Sequence, residues 1–240
     1  MTLQQIGNQR EHNSYWYLTE IFDAAHPAEP AINGEPYYSG YKDVRGLGGN
    51  GYKYGAPGGT ERDAQFVRSA LYGSFLSGGL GGFVYGAEGI WGGDIEPAAP
   101  TKMWEAFQWV SGSQVQFLRA FADSIGRRYE DLQPNEDLVM PHENDEVHGY
   151  EGWAYCARTP DKHIFLIYFE KGAPQAQVRG ALLNSEYRAA WFDPRKGTWS
   201  DAGALRSSAT GTVDLPGFPD EEDWGLKLEA TGAQDLQKLN

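Results

Sequence analysis

The sequence predicts two regions of different class: an α/β first half built on a parallel sheet, and an all-β second half folded as an antiparallel β-sandwich. Two observations carry this expectation. Up to about residue 125, helical and strand-like stretches alternate as helix, strand, helix, strand, helix, the pattern of a parallel sheet packed under helices. From about Val139 the rhythm changes to short, aromatic-rich runs separated by turn residues. The polar stretch "RRYEDLQPNEDLVM" between them reads as a linker, which sets boundaries at 1–128, 129–138 and 139–240.

Taken in order, "SYWYLTEIFDAA" has apolar residues at 15, 18, 21, 22 and 25, a helical period, with Ser14 as N-cap and "HPAEP" as the stop. "PAINGEPYY" is short, apolar and bounded by turns, consistent with a buried strand finishing near Glu35, where Pro36 removes a ladder donor. The loop from Ser39 to Thr60 contains eight glycines, and a loop of that length is expected to be flexible and to face substrate. "ERDAQFVRSALYGSFLSGG" reads as the next helix, opened by charges and ended by Gly78 and Gly79. "GGFVYGAEGIW" reads as a second buried strand. Beyond "IEPAAP" one long amphipathic helix is predicted from Thr101 to Ile125, with Trp104, Phe107, Val115, Leu118, Phe121 and Ala122 inward. In the second half, "GYEGWAYCART", "HIFLIYFE", "AQVRGAL", "YRAAWFD", "TWSDA", "TGTVDL" and "DWGLKLEA" are the predicted strands. "WFDPRKGTW" is expected to be a hairpin, with Pro194 entering the turn, Gly197 at positive φ, and Trp191 packing across it against Trp199.

Bulk properties narrow the function. A formal charge of −13 and a pI near 4.8 argue against nucleic-acid and anionic-membrane partners, which are bound through an excess of Lys and Arg. The 8 Trp and 14 Tyr suit surfaces that stack on sugar faces as well as hydrophobic cores. A single cysteine, Cys156, excludes an internal disulfide and every multi-cysteine zinc pattern, and its strand-like setting marks it as a buried, inert thiol. "PHENDEVHGYE" bundles His and acidic residues without a recognised ligand spacing, so neither a metal nor another cofactor is expected. The N-terminal residues carry no basic and apolar signal pattern, and no export signal is expected within this chain.

With "INGEPYY" at a strand end, "RSALYGSFLSGG" on a helix, "GGFVYGAEGIW" on a strand and "YRAAWFDPRKGTW" in the second half, the chain resembles the apiosidase-like glycoside hydrolases over nearly its whole length. That resemblance implies a (β/α)8 catalytic barrel followed by a β-sandwich labelled in family catalogues as collagen-binding. It also implies that only the last stretch of the barrel is present. Ala31 to Glu35 would correspond to strand seven, Gly82 to Trp91 to strand eight, and "TLQQIGNQ" to the end of strand six. The fold class expected is therefore a partial (β/α)8 barrel followed by an antiparallel β-sandwich, since a full barrel needs about 250 residues by itself.

The resemblance further implies that Glu35 is the nucleophile, with the acid/base carboxylate on a strand absent from this chain. Without it, Glu35 reads sooner as an exposed strand-end carboxylate, or as one ion-paired with Arg45 or Lys42. Tyr37 and Tyr38 are candidate sugar-positioning groups, with loop packing as the competing reading. Trp91 could floor a sugar subsite, Tyr85 lies on the same strand, Glu88 either meets a sugar hydroxyl or caps the next segment, and His12 is a candidate substrate contact. The expected ligand is a carbohydrate substrate, and the expected protein partner is the missing half of the barrel or a second copy of the chain. Two functions follow: part of a glycosidase acting on plant cell-wall or similar polysaccharide, or a non-catalytic carbohydrate-binding or scaffolding remnant.

Overall fold

In the computed structural model, three short strands, β1 (Gln4–Ile6), β2 (Ala31–Asn33) and β3 (Gly82–Phe83), pair in parallel in chain order. Helix α1 (Trp16–Ala24) lies between the first two in sequence and α2 (Glu61–Leu76) between the second two. The structure describes residues 4–6, 15–24, 31–40, 55–148 and 150–231, and only the backbone of residues 144–148. His12, the Ser14 cap and the basic residues at 42 and 45 lie outside the described residues.

The chain divides into two compact units, one formed by residues 1–118 with 148–151 and the other by 119–147 with 152–240. In the first unit, α2 is the central element. Thr60 caps it by accepting the Asp63 N–H at 3.2 Å, Glu61 and Asp63 sit at the positive end of the helix dipole, and Gly78 turns the chain away at φ +112°. Every residue from Asp63 to Leu76 is buried.

Two expectations are corrected here. Regular strand structure in "GGFVYGAEGIW" covers only Gly82 and Phe83, followed by a single bridge between Ser39 and Ala87. Gly82 and Gly89 adopt φ +115° and +83°, which an extended ladder does not accommodate, and Val84 is exposed.

The single helix expected over residues 101–125 is three short ones, α3 (Met103–Ala106), α4 (Val110–Gln114) and α5 (Phe117–Asp123). Trp104 and Phe107, expected inward, are 53% and 60% exposed. The first break falls at Trp109, whose extended backbone (ψ 138°) throws the indole onto Gly40, Gly58 and Gly59. A Cβ on Gly58 would stand 2.1 Å from that ring, so these glycines act as a flat socket as well as turn residues. The "SGS" sequence at 111–113 weakens helix continuation further.

In the second unit all seven predicted strands are present. A six-strand path runs β11 (Thr198–Arg206), β10 (Glu186–Asp193), β13 (Trp224–Ala230), β8 (Ile164–Phe169), β7 (Glu151–Arg158), β4 (Gln133–Pro134), with β6 (Glu143–His148) also paired to β7. A second antiparallel sheet orders β12 (Val213–Asp214), β9 (Gln177–Val178) and β5 (Val139–Met140). Val139, Val178 and Val213 from the small sheet share one core with Cys156, Phe165, Ile167, Trp191 and Leu226 from the large one. Residues 129–138, expected as a linker, hold 3-10 turns and β4. Among the described residues no helix is long and apolar enough to cross a membrane.

The hairpin joining β10 to β11 turns as predicted: the Asp193 carbonyl accepts from Lys196 and Gly197, and Gly197 has φ +69°. The tryptophan pairing does not hold. Phe192 faces Trp199 and Trp191 faces Ser200, so side-chain alternation sends Trp191 into the core against Phe169, Phe218 and Trp224. Trp199 lies on the other face with Phe192 and stacks on Phe121.

Candidate active site

The segment "INGE" presents Glu35 at the carboxyl end of β2 by three local devices. Asn33 is buried; its amide donates to Ser74 Oγ at 2.9 Å and its Oδ1 accepts the Glu35 N–H at 3.2 Å, an Asx-type turn that bends the chain out of the sheet. Gly34 donates its N–H to the Ile6 carbonyl, and a Cβ there would come within 2.2 Å of the Gln5 side chain reaching over from β1. Glu35 itself is exposed. A carboxylate on an exposed bend of a braced strand end is available to a ligand from solvent.

The loops after β2 and β3 are tied together. Ser39 N–H donates to Gly86 O at 2.9 Å and Glu88 N–H donates to Ser39 O at 2.8 Å. Tyr38 lies over Gly86, where a Cβ would stand 2.4 Å from its ring. Glu35 and Tyr38 therefore emerge on one strand end, and Tyr85, Glu88 and Trp91 on the segment bonded beside it. Trp91 is 67% exposed. Burial holds the Glu88 carboxyl above the ordinary glutamate range, and the Asp94 and Asp63 carboxylates push it the same way. A carboxyl group so placed keeps its proton to higher pH than a free glutamate.

Tyr37 occupies a different position from its neighbour. It is 2% exposed, its ring packs edge-on to Phe66 and tilted on Tyr150, and its hydroxyl donates to Asp63 Oδ1 at 2.8 Å. Asp63 is wholly buried and also accepts from Ser39 Oγ and from the Gly40 N–H at 2.7 Å. Burial raises its pKa although these donors pull it down. Ser39 Oγ meets Ser111 Oγ at 2.8 Å, and Ser111 Oγ meets the Tyr85 hydroxyl at 3.1 Å. Burial likewise raises the Tyr85 phenol.

Of the residues singled out in the sequence, Glu35 and Tyr38 lie on the segment after β2, Tyr85, Glu88 and Trp91 on the segment after β3 bonded to it through Ser39, Tyr37 is buried, and His12 lies outside the described residues. Sequence reading did not find Asn33, Ser39, Asp63 and Ser111. Asn33 carried a legible signal, an Asn two residues before the residue it clamps. Asp63 reads as an ordinary first-turn acid, and only its distant partners reveal another role. Among the described residues no group of three His, Cys, Asp or Glu side chains could hold a metal ion.

Comparison with known proteins bears on the family and the fold. Residues 1–128 match the family described as "Apiosidase-like, catalytic domain", and residues 134–229 match "Putative collagen-binding domain of a collagenase". No curated protein matches at a significant level. Among solved structures, one described as "Glycoside hydrolase" superposes with TM-score 0.69 at 18% identity over 95% of this chain and 52% of its own. A glycoside hydrolase family 5 structure from Bacteroides vulgatus gives 0.67 at 19% identity over 95% of this chain and 50% of its own. The chain thus spans about half the length of the solved structures it matches, and at these identities the likeness is one of fold. Because the first match covers more than half of the 240 residues, the family is shown: this chain belongs to the apiosidase-like family.

Proposed function

We propose that the chain forms the C-terminal portion of a retaining glycoside hydrolase acting on plant cell-wall or similar polysaccharide, with Glu35 as nucleophile. In this reading β1, β2 and β3 are the last strands of a (β/α)8 barrel, and the second unit is its accessory β-sandwich. The observation that carries it is the exposed Glu35 carboxylate at the carboxyl end of β2, braced by Asn33 and flanked through the Ser39 bridge by Tyr38, Tyr85 and Trp91. Barrel enzymes do their chemistry on the face where strands end.

Hydrolysis with retention needs a second carboxyl group about 5 Å from the first, to protonate the leaving oxygen and then activate water. That group would come from a strand outside these 240 residues. The carboxylate of Glu35 attacks the anomeric carbon, the C–O bond to the leaving sugar breaks as its oxygen takes the partner's proton, and water then releases the glycosyl ester. Trp91 offers an indole face to the C–H side of a sugar ring.

The test pairs this chain with a polypeptide supplying barrel strands one to five and follows aryl-glycoside hydrolysis. Turnover that disappears in Glu35→Gln supports the reading. Turnover that survives this substitution sinks it. The chain alone is expected to hydrolyse nothing, because in this reading the acid/base carboxyl belongs to the other polypeptide.

A further inference from the structure

Buried hydroxyls linked in a row carry a direction, and here it is set by one residue. Asp63 accepts from Tyr37, Ser39 and the Gly40 N–H. Three donors converge on it, as befits an ionised carboxylate, which can only accept. One of them is a backbone N–H that cannot reverse.

Each serine hydroxyl has a single proton. Ser39 gives its proton to Asp63, so in the 2.8 Å contact with Ser111 it must accept. Ser111 therefore donates to Ser39, and in its 3.1 Å contact with Tyr85 it too must accept. The Tyr85 phenol consequently donates inward and has only lone pairs left for anything else. Tyr37 obeys the same logic on the other side of Asp63: it donates to the carboxylate and accepts the Ala56 N–H at 3.2 Å.

We propose that Asp63, acting through Ser39 and Ser111, makes Tyr85 an acceptor-only contact that reads a donating hydroxyl of the sugar and discriminates against a group that can only accept. Asp63, Ser39 and Ser111 are positioning residues; Tyr85, partly buried on the segment that also carries Glu88, is the group that meets the ligand. The proposal rests on the glycosidase reading for the identity of its ligand, while the polarity of the relay does not.

Two measurements on the 240-residue chain test it. In the first, with no sugar present, NMR follows hydroxyl-proton exchange of Tyr85 in the wild type and in Ser111→Ala. The expected result is a protected Tyr85 proton with a nuclear Overhauser contact to the Ser111 β-protons, and exchange at least about tenfold faster in the variant. Exchange unchanged by Ser111→Ala overturns the relay.

In the second, arabino-, xylo- and gluco-oligosaccharides are titrated calorimetrically, followed by mono-deoxyfluoro analogues of whichever binds. One analogue is expected to bind the wild type about tenfold more weakly than its parent, the loss of one hydrogen bond. In Ser111→Ala, where Tyr85 is released to donate, that ratio should fall below about twofold, and Tyr85→Phe should abolish it. Binding without discrimination overturns the proposal and leaves the glycosidase reading standing. No binding by any of these sugars, with the relay intact by NMR, counts against the glycosidase reading and removes the sugar contact with it.

Discussion

Asn33 Oδ1 accepts the Glu35 N–H at 3.2 Å while the same side chain donates to Ser74, so one amide joins the strand end to α2. Replacement by Ala should lower unfolding free energy by about 1–3 kcal/mol in urea titrations. Asn33→Asp should cost more than Ala. It restores an acceptor for Glu35 but sets a buried carboxylate against Ser74 Oγ, whose proton already goes to the Ala70 carbonyl. An Asp variant as stable as Ala would show that the amide donor is unimportant.

The socket for Trp109 predicts a position-specific glycine effect. Gly58→Ala drives a methyl to 2.1 Å from the indole and should destabilise by about 1–3 kcal/mol. Gly217, with open space around it, should accept Ala within about 0.5 kcal/mol. Thermal melts of the two variants side by side provide the comparison. Truncating Trp109 to Ala in the Gly58→Ala background should recover part of the steric cost.

Asp193 supplies a pH dependence with a definite sign. Burial would raise its pKa, but hydrogen bonds from the Arg195 side chain and backbone and from Lys196 outweigh this and hold the carboxyl below the ordinary range. A carboxylate depressed in the folded state contributes stability above its unfolded pKa of about 3.9 and loses it as pH falls through that value toward the folded one. Asp193→Asn should therefore be less stable than wild type by about 1–3 kcal/mol at pH 7, with the gap closing below about pH 3. A gap that is constant with pH would refute the pairing.

Cys156 should be unreactive in the native protein. Its thiol is 1% exposed and burial pushes its pKa up to about 12, leaving almost no thiolate at neutral pH. A chromogenic disulfide reagent should titrate no thiol in buffer and one in concentrated guanidinium. Rapid native labelling would show that β7 opens.

The second unit was largely legible because its signals are local. Alternation in "YRAAWFD" and "DWGLKLEA", and Pro194 with Gly197 between two strands, act within a few residues. The side on which Trp199 lies was not legible, because it depends on a register that only the paired strand sets. In the first unit, the charged residues at its start announced α2, whereas the break at Trp109 depends on glycines fifty or more positions upstream. The same limit hid Asp63: its charge looks like helix-opening chemistry, and its partners at 39 and 111 come together only in the folded chain.

Tyr150 belongs to the first unit although it follows about thirty residues of the second. Its ring packs on Tyr37 and Phe66, and its carbonyl accepts from the Gln65 amide at 2.5 Å. The polypeptide is therefore stitched, leaving one body, returning for a single loop and leaving again. A scissile point anywhere from 119 to 147 strips that loop from the Tyr37 side, so limited proteolysis or gene truncation there should give a first fragment deficient around Asp63, and no one cut releases both bodies whole.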